Sequence, residues 1–255
     1  MTKLDPRLYA TVPPEEAIAY LRDKVDIPTD GWHEFPDYYQ DAAFTVAGAK
    51  GALLSQIHNA VSQAISEGQT LEEFSKRFRQ IAEGWVGNTP RRAQIIYQTN
   101  MRMAYAAGRY AHQLDPEVVK LQPYLQYVHS DAQVPRPLHK ALDGRVFRAT
   151  EIPFAVPNGF GCGCRYVSLT EEEVAAQGLE ISNLKRGDIL QTEQGKMVLE
   201  PEKGFDYIPG RSSPELRYQL LLAAASQMPP AIAAYVRRQA NQILQKGKTN
   251  GTNKT

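Results

Sequence analysis

Leu54, Ile57, Val61, Ala64 and Ile65 recur at helical spacing and stop at Gly68, a residue suited to a left-handed C-terminal cap. Thr70-Leu71-Glu72-Glu73 is a capping-box pattern that opens a second helix with Phe74, Phe78 and Ile81 on one face. Gly84 and Gly87 end it. Thr89-Pro90 then starts a long helical run from Arg91 to about Leu114, because threonine at the cap and proline at the first position both favour initiation. Upstream, Pro13-Pro14-Glu15-Glu16 leads into a short helix over Ala17 to Lys24 that we expect to pack loosely.

The period changes after Pro116. Leu125 to Val128, Arg145 to Phe147 and Tyr166 to Leu169 are short β-rich pieces bounded by Pro, Gly, Asp and Asn, which predicts a small irregular sheet too short for a deep core of its own. Thr170-Glu171-Glu172-Glu173 is a second capping box, closed by Gly178. Ile189 to Thr192 and Met197 to Leu199 flank Gln194-Gly195 as a hairpin. Two helices follow, from Pro214 past Leu222 and from Pro230 to about Gln245, and the apolar-free end is expected to be a disordered tail. The expected class is α+β, with a helical N-terminal half and C-terminal helices around a small β-rich centre. The expected parts are 1–45, an N-terminal segment; 46–118, helical; 119–211, β-rich; 212–246, C-terminal helices; and 247–255, the tail.

Composition narrows the function classes. At 255 residues, 42% hydrophobic and 22% charged, the chain can bury one large core. A formal charge of +1 argues against a dedicated nucleic-acid coat. No apolar run approaches membrane-spanning or signal-peptide length, so no membrane partner is expected and the chain should remain in the cytosol where it is made. There is no Walker or dinucleotide glycine loop, no H-E-x-x-H and no G-x-S-x-G.

The chemistry concentrates in one stretch. The only two cysteines, Cys162 and Cys164, flank Gly163 in a glycine-rich loop, and His139 precedes them. Thiolates and imidazole suit zinc, and a C-x-C step lets both sulfurs reach one ion. Asp131, His129 and Asp143 are candidate fourth ligands, with Asp131 favoured. The plainer alternative makes the cysteines small buried hydrophobes and His139 a surface residue. A zinc hydrolase would further need an open coordination position and a base such as Glu151 or Asp131, which nothing singles out. On the long helix, Arg92, Asn100, Arg102 and Arg109 are candidate contacts for nucleic acid or a partner, as are Arg136 and Arg165. An ordinary solvated face is the simpler reading of them. DNA contact by Arg237, Arg238, Lys246 and Lys248 is a weaker idea still.

Several ordered motifs resemble the phage Mu F-like head morphogenesis family of tailed bacteriophages and prophages. They are Arg92 to Asn100, Ala104 to Arg109, Asp131 with Arg136 to His139 and Leu142-Asp143-Gly144, Pro157-Asn158-Gly159 with Cys162 to Arg165, and Gly204 to Gly210. Together they run from about residue 40 to 211. The resemblance implies a minor head protein, a low-copy procapsid or virion component at the capsid interior or portal vertex that assists capsid assembly, DNA packaging or delivery. Implied partners are the portal protein, the major capsid or scaffolding protein, and viral double-stranded DNA. In the family the His139 position is often cysteine, which fits a metal ligand. The chain departs from the family pattern at Ile208, where Asn is usual, and at Gly163, where Arg is usual; the second removes a positive charge from the loop. A structural zinc would hold the small sheet together. Two competing expectations are a metal-dependent hydrolase or nuclease and, more weakly, a toxin-delivery module, against which the lack of a further C-terminal domain speaks.

Overall fold

The structure is a computed structural model and describes residues 15–30, 37–130, 132 and 134–252, with side chains described through Gln245 apart from Tyr38. Helix α2 (Gly51–Ser66) ends as its glycine predicts: Gly68 has φ 65°, and the Gln69 amide donates to the Ala64 carbonyl at 2.9 Å. Helix α3 (Leu71–Ile81) carries the complete capping box between Thr70 and Glu73 and buries Phe74 and Phe78 fully. Helix α4 (Pro90–Gln113) starts on Thr89, whose side chain accepts the Arg92 amide. Each large apolar side chain fully buried between these helices contributes about 1.5–3 kcal/mol.

The N-terminal helix α1 (Glu15–Arg22) does not pack loosely. Ala17 and Leu21 are fully buried and Tyr20 nearly so, in the core shared with α2, α3 and α4. Its three inward residues suffice because the long α4 gives them a surface to cover. A short parallel pair that the sequence did not suggest follows: β1 (Val25–Asp26) beside β2 (Ala43–Phe44), reached through a 3-10 helix at Asp37–Asp41. Residues 31–36 lie outside the described residues. Phe44 stacks on His58 at 4.2 Å, and the His58 ring nitrogens face the Asp26 carboxylate at 2.7 Å and the Leu21 carbonyl at 2.8 Å.

After α5 (Pro116–Leu121) the sheet expected at the centre forms, with antiparallel order β4-β3-β5. Its strands are β3 (Tyr124–Val128), β4 (Val146–Arg148) and β5 (Arg165–Leu169), and Tyr127 pairs with Tyr166 across β3 and β5. The core beneath it is deeper than three short strands can make alone. Ala106 and Tyr110 of α4, the segment Phe154–Val156, and Leu190 and Leu199 near the hairpin join Leu125, Tyr127 and Phe147. Helix α6 (Pro137–Ala141) lies between β3 and β4 in sequence. Helix α7 (Glu171–Ala176) uses the second capping box, and β6 (Ile189–Thr192) pairs with β7 (Gly195–Val198) as expected.

Helices α8 (Pro214–Ala225) and α9 (Pro230–Thr252) form an antiparallel pair that shares a third core with Val25, Ile27, Tyr39, Ala42 and Ala43. The α9 backbone is helical to Thr252, past the end expected near Gln245. Residues 253–255 lie outside the described residues. Among the described residues no helix is long and apolar enough to cross a membrane.

The Gly204–Gly210 motif ties these cores together. Buried Asp41 accepts the Gly210 amide at 2.7 Å and the Ser212 amide at 3.0 Å. Gly210 sits at φ 76°, where an added Cβ would stand 3.0 Å from that of Ala107 on α4. Phe205 meets Phe160 of the cysteine loop edge-on at 5.0 Å.

Candidate metal centre

His139 projects from α6, a short helix entered through Pro137. Cys162 and Cys164 come from the loop that runs into β5, where Gly161 turns at φ 72° and the Cys162 amide donates to the Gly159 carbonyl at 3.2 Å. The three side chains converge. Each cysteine sulfur lies 3.7 Å from His139 Nδ1, and all three ligand atoms fall within 4.8 Å of one another. His139 is 6% exposed and the cysteines 3% and 2%, so His139 is no surface residue. Gly163 lets the loop lie close to β3's end, since a Cβ there would come 3.0 Å from that of Ser130.

The surroundings set the charge of this cluster. Cys162 is pushed far above the usual thiol range by the neighbouring Cys164 sulfur, which disfavours a second thiolate beside it, and by burial. Cys164 is lowered, first by the adjacent Cys162 thiol and then by His139, Tyr127 and the Ser130 backbone, which together outweigh its burial. Burial, reinforced by the adjacent Cys164, pushes Tyr127 up as well. Fully buried Asn158 accepts the Cys162 thiol at 3.2 Å through Oδ1, while its Nδ2 has no partner among the described residues.

Two sulfurs and one imidazole nitrogen are a donor set that zinc prefers. Around a tetrahedral zinc, S and N ligands at about 2.3 and 2.0–2.1 Å stand about 3.6 Å apart. The 3.7 Å separations match this spacing. The residues present therefore fit a zinc ion. The favoured fourth ligand, Asp131, lies outside the described residues. Neither alternative joins the cluster: Asp143 instead accepts the His129 amide at 2.8 Å. Glu151, considered as a base, is exposed and outside the cluster.

Three of the six expected polar contacts are committed within the fold. Arg92 donates to the Ala47 carbonyl at 2.8 Å and lies over Trp85; Asn100 donates to the Ile96 carbonyl. Arg136 pairs with Glu202 at 3.0 Å and donates to the Phe160 carbonyl. Arg102, Arg109 and Arg165 are placed differently, along the seam between α4 and the cysteine loop. Sequence reasoning missed Tyr127, Asn158 and Glu202. Asn158, within Pro157-Asn158-Gly159, had a local signal. Glu202 had none, since it reaches the loop from a distant segment to accept the Phe160 amide at 3.1 Å.

A separate cleft of about 600 Å³ lies between β2, the first half of α4 and the Gly204–Tyr207 segment, and none of the three clustered side chains lines it.

Residues 55–167, from α2 through the cysteine loop into β5, match the family model described as Phage Mu protein F like protein. The chain belongs to this Mu F-like family. It is 32% identical over 246 residues to a protein of Escherichia phage Mu named for capsid assembly, protein F, a match covering 80% of this chain and 56% of that protein. To the Mu-like prophage FluMu F protein of Haemophilus influenzae it is 36% identical over 173 residues, covering 61% of this chain and 41% of that protein. The chain thus spans about half the length of these curated relatives. No solved structure matches it.

Proposed function

We propose that the chain is a phage head-morphogenesis protein whose His139, Cys162 and Cys164 hold a structural zinc. The relatives' names support the head-assembly role, and the convergence of three buried donors carries the metal reading. Bound zinc would neutralise the second thiolate and cross-link α6 to the loop entering β5. Asn158 would then turn its amide N–H toward the Cys162 sulfur, the two ends of an amide being interchangeable in shape. Tyr127 closes the inner side of the cluster and Ser130 supplies a backbone donor to Cys164.

In the particle, this rigid centre would present the helical half of the chain to the portal protein, and the protein would reside inside the head or at the portal vertex at low copy. Burial of all three donors, away from the 600 Å³ cleft, favours a structural site over a hydrolase, which needs an open position for water.

Elemental analysis of purified protein tests the metal. About one zinc per chain is expected, falling toward zero in His139→Ala and Cys162→Ser/Cys164→Ser with a lower melting temperature. Folded wild-type protein free of metal would overturn the zinc. Co-purification with the portal protein tests the assembly reading, and heads assembled normally without the chain would refute it.

A further inference from the structure

The hairpin of β6 and β7 ends in an open edge. Among the described residues β7 pairs with β6 alone. The Leu199 amide donates to the Asp188 carbonyl at 2.8 Å, so Leu199 still turns its backbone toward the β6 side. By the alternation of an antiparallel ladder, the amides and carbonyls of Val198 and Lys196 point the other way, and the next step of the same alternation reaches Glu200. Among the described residues no backbone group bonds to them from that side.

The side chains at this edge are idle as well. Ile189 is 66% exposed and Val198, which faces it across the hairpin, is 51% exposed. Lys196 and Glu200 are exposed on the same face as Val198, and among the described residues neither makes a hydrogen bond or an ion pair. An edge strand that presents unpaired backbone groups beside exposed β-branched side chains is a template for a further strand. A lone lysine there would discourage most strands, unless the arriving one sets a carboxylate opposite it.

We propose that β7 pairs antiparallel with β7 of a second copy of this chain, about a two-fold axis at Val198, so that the two hairpins join into one continuous sheet. The order Lys196, Val198, Glu200 is its own complement when reversed: Lys196 faces the partner subunit's Glu200, and Val198 faces the partner subunit's Val198. Each facing pair exchanges both of its backbone hydrogen bonds. Ile189 and Val198 of both copies then form one apolar row across the sheet, and such cross-strand pairs are what stabilises a sheet. Sliding the partner along the edge sets Lys196 against Val198 or against another Lys196, so charge selects a single register. An extended segment of a different protein would satisfy the same backbone groups, but self-complementarity is the mark of a two-fold contact. The paired edges make a small interface, so the dimer is a weak one. It depends on neither the zinc nor the portal reading.

Sedimentation velocity of the purified full chain, at concentrations up to about 1 mM, should show a monomer–dimer equilibrium. Lys196→Glu and Glu200→Lys should each weaken self-association about 30-fold, because both ion pairs turn repulsive. Mixing these two variants in equal amounts should restore association, since each edge then meets its opposite charge, and a misfolded chain could not be rescued in this way. The double variant Lys196→Glu/Glu200→Lys should associate as wild type does. Hydrogen exchange should protect the Val198 amide in proportion to the dimer formed. A chain that stays monomeric throughout, a dimer indifferent to the charge variants, or a mixture that fails to restore it would overturn the proposal. So would a Val198 amide already protected in the monomer, which would give the edge to another segment of this chain.

Discussion

Tyr110 anchors the cysteine loop to α4 through a single hydroxyl. It accepts the Val156 amide at 2.7 Å and donates to the Val156 carbonyl at 3.2 Å, and both residues are almost fully buried. Burial pushes this phenol's pKa far up, so it remains a neutral donor at any working pH. In Tyr110→Phe the ring stays and the hydroxyl goes, leaving one donor and one acceptor unpaired where water does not reach. A buried backbone group left without a partner costs about 1–3 kcal/mol. Two such groups set a range of about 2–6 kcal/mol, and we expect about 3. That is a large share of the roughly 5–15 kcal/mol that holds a typical domain folded. Urea denaturation at fixed free zinc, followed by circular dichroism, measures it as a lower midpoint at unchanged slope. Tyr97→Phe is the reference: its hydroxyl makes one bond, to the half-buried Gln69 carbonyl at 2.6 Å, and should cost only about 0.5–1.5 kcal/mol. A Tyr110→Phe protein within about 0.5 kcal/mol of wild type would refute the reasoning, since it would mean that Val156 finds other partners at no cost.

Asn158→Ala should weaken zinc binding about 10- to 100-fold in a competition assay with a chelating dye, as expected for a side chain that supports a ligand without being one. Removing zinc from wild-type protein should lower stability by about 2.7 kcal/mol relative to protein held at a free zinc concentration 100 times the Kd, read as a shift in melting temperature. Gly210→Ala should cost about 1–3 kcal/mol by chemical denaturation, because the left-handed backbone at φ 76° and the Ala107 contact at 3.0 Å both oppose a Cβ. Burial lowers Lys24 from 10.5 to about 7. Between those values the unfolded chain holds a proton that the native chain has shed, so the contribution of Lys24 to stability rises with pH from about 7 to 10.5 and is lost as pH falls through that window. Lys24→Met should flatten the wild-type pH profile there, as followed by urea midpoints across the range.

The helix caps were legible because their signals are local. Thr70 with Glu73, Thr170 with Glu173 and Thr89 before Pro90 each satisfy backbone groups within one turn, so neighbouring residues settle the outcome. The cysteine and histidine cluster was legible for a chemical reason: with only two cysteines in the chain, a shared role leaves little choice of partners. What was lost depends on distant surfaces. The burial of Tyr20 and Leu21 is decided by α4, and the depth of the core under β3 by Tyr110 and the Phe154–Val156 segment, which no periodicity connects. Arg92 and Arg102 look alike in sequence, yet one is occupied by Ala47 and Trp85 while the other lies beside Gly163 with no partner for its buried Nη1 among the described residues.

The third core joins residues far apart in the order of synthesis. Arg217 donates to the Asp23 carbonyl across 194 residues, and Val25, Ile27 and Tyr39 share their cover with Leu221, Val236 and Ala240. At a translation rate of about 5–20 residues per second, the early strand waits about 10–40 s before its cover emerges. During that interval β1 and its apolar neighbours are available to other nascent chains or to a chaperone. Yield of folded protein should therefore depend on expression rate and temperature more steeply than the well-capped helices suggest, and lowering either should favour the correct long-range pairing over aggregation.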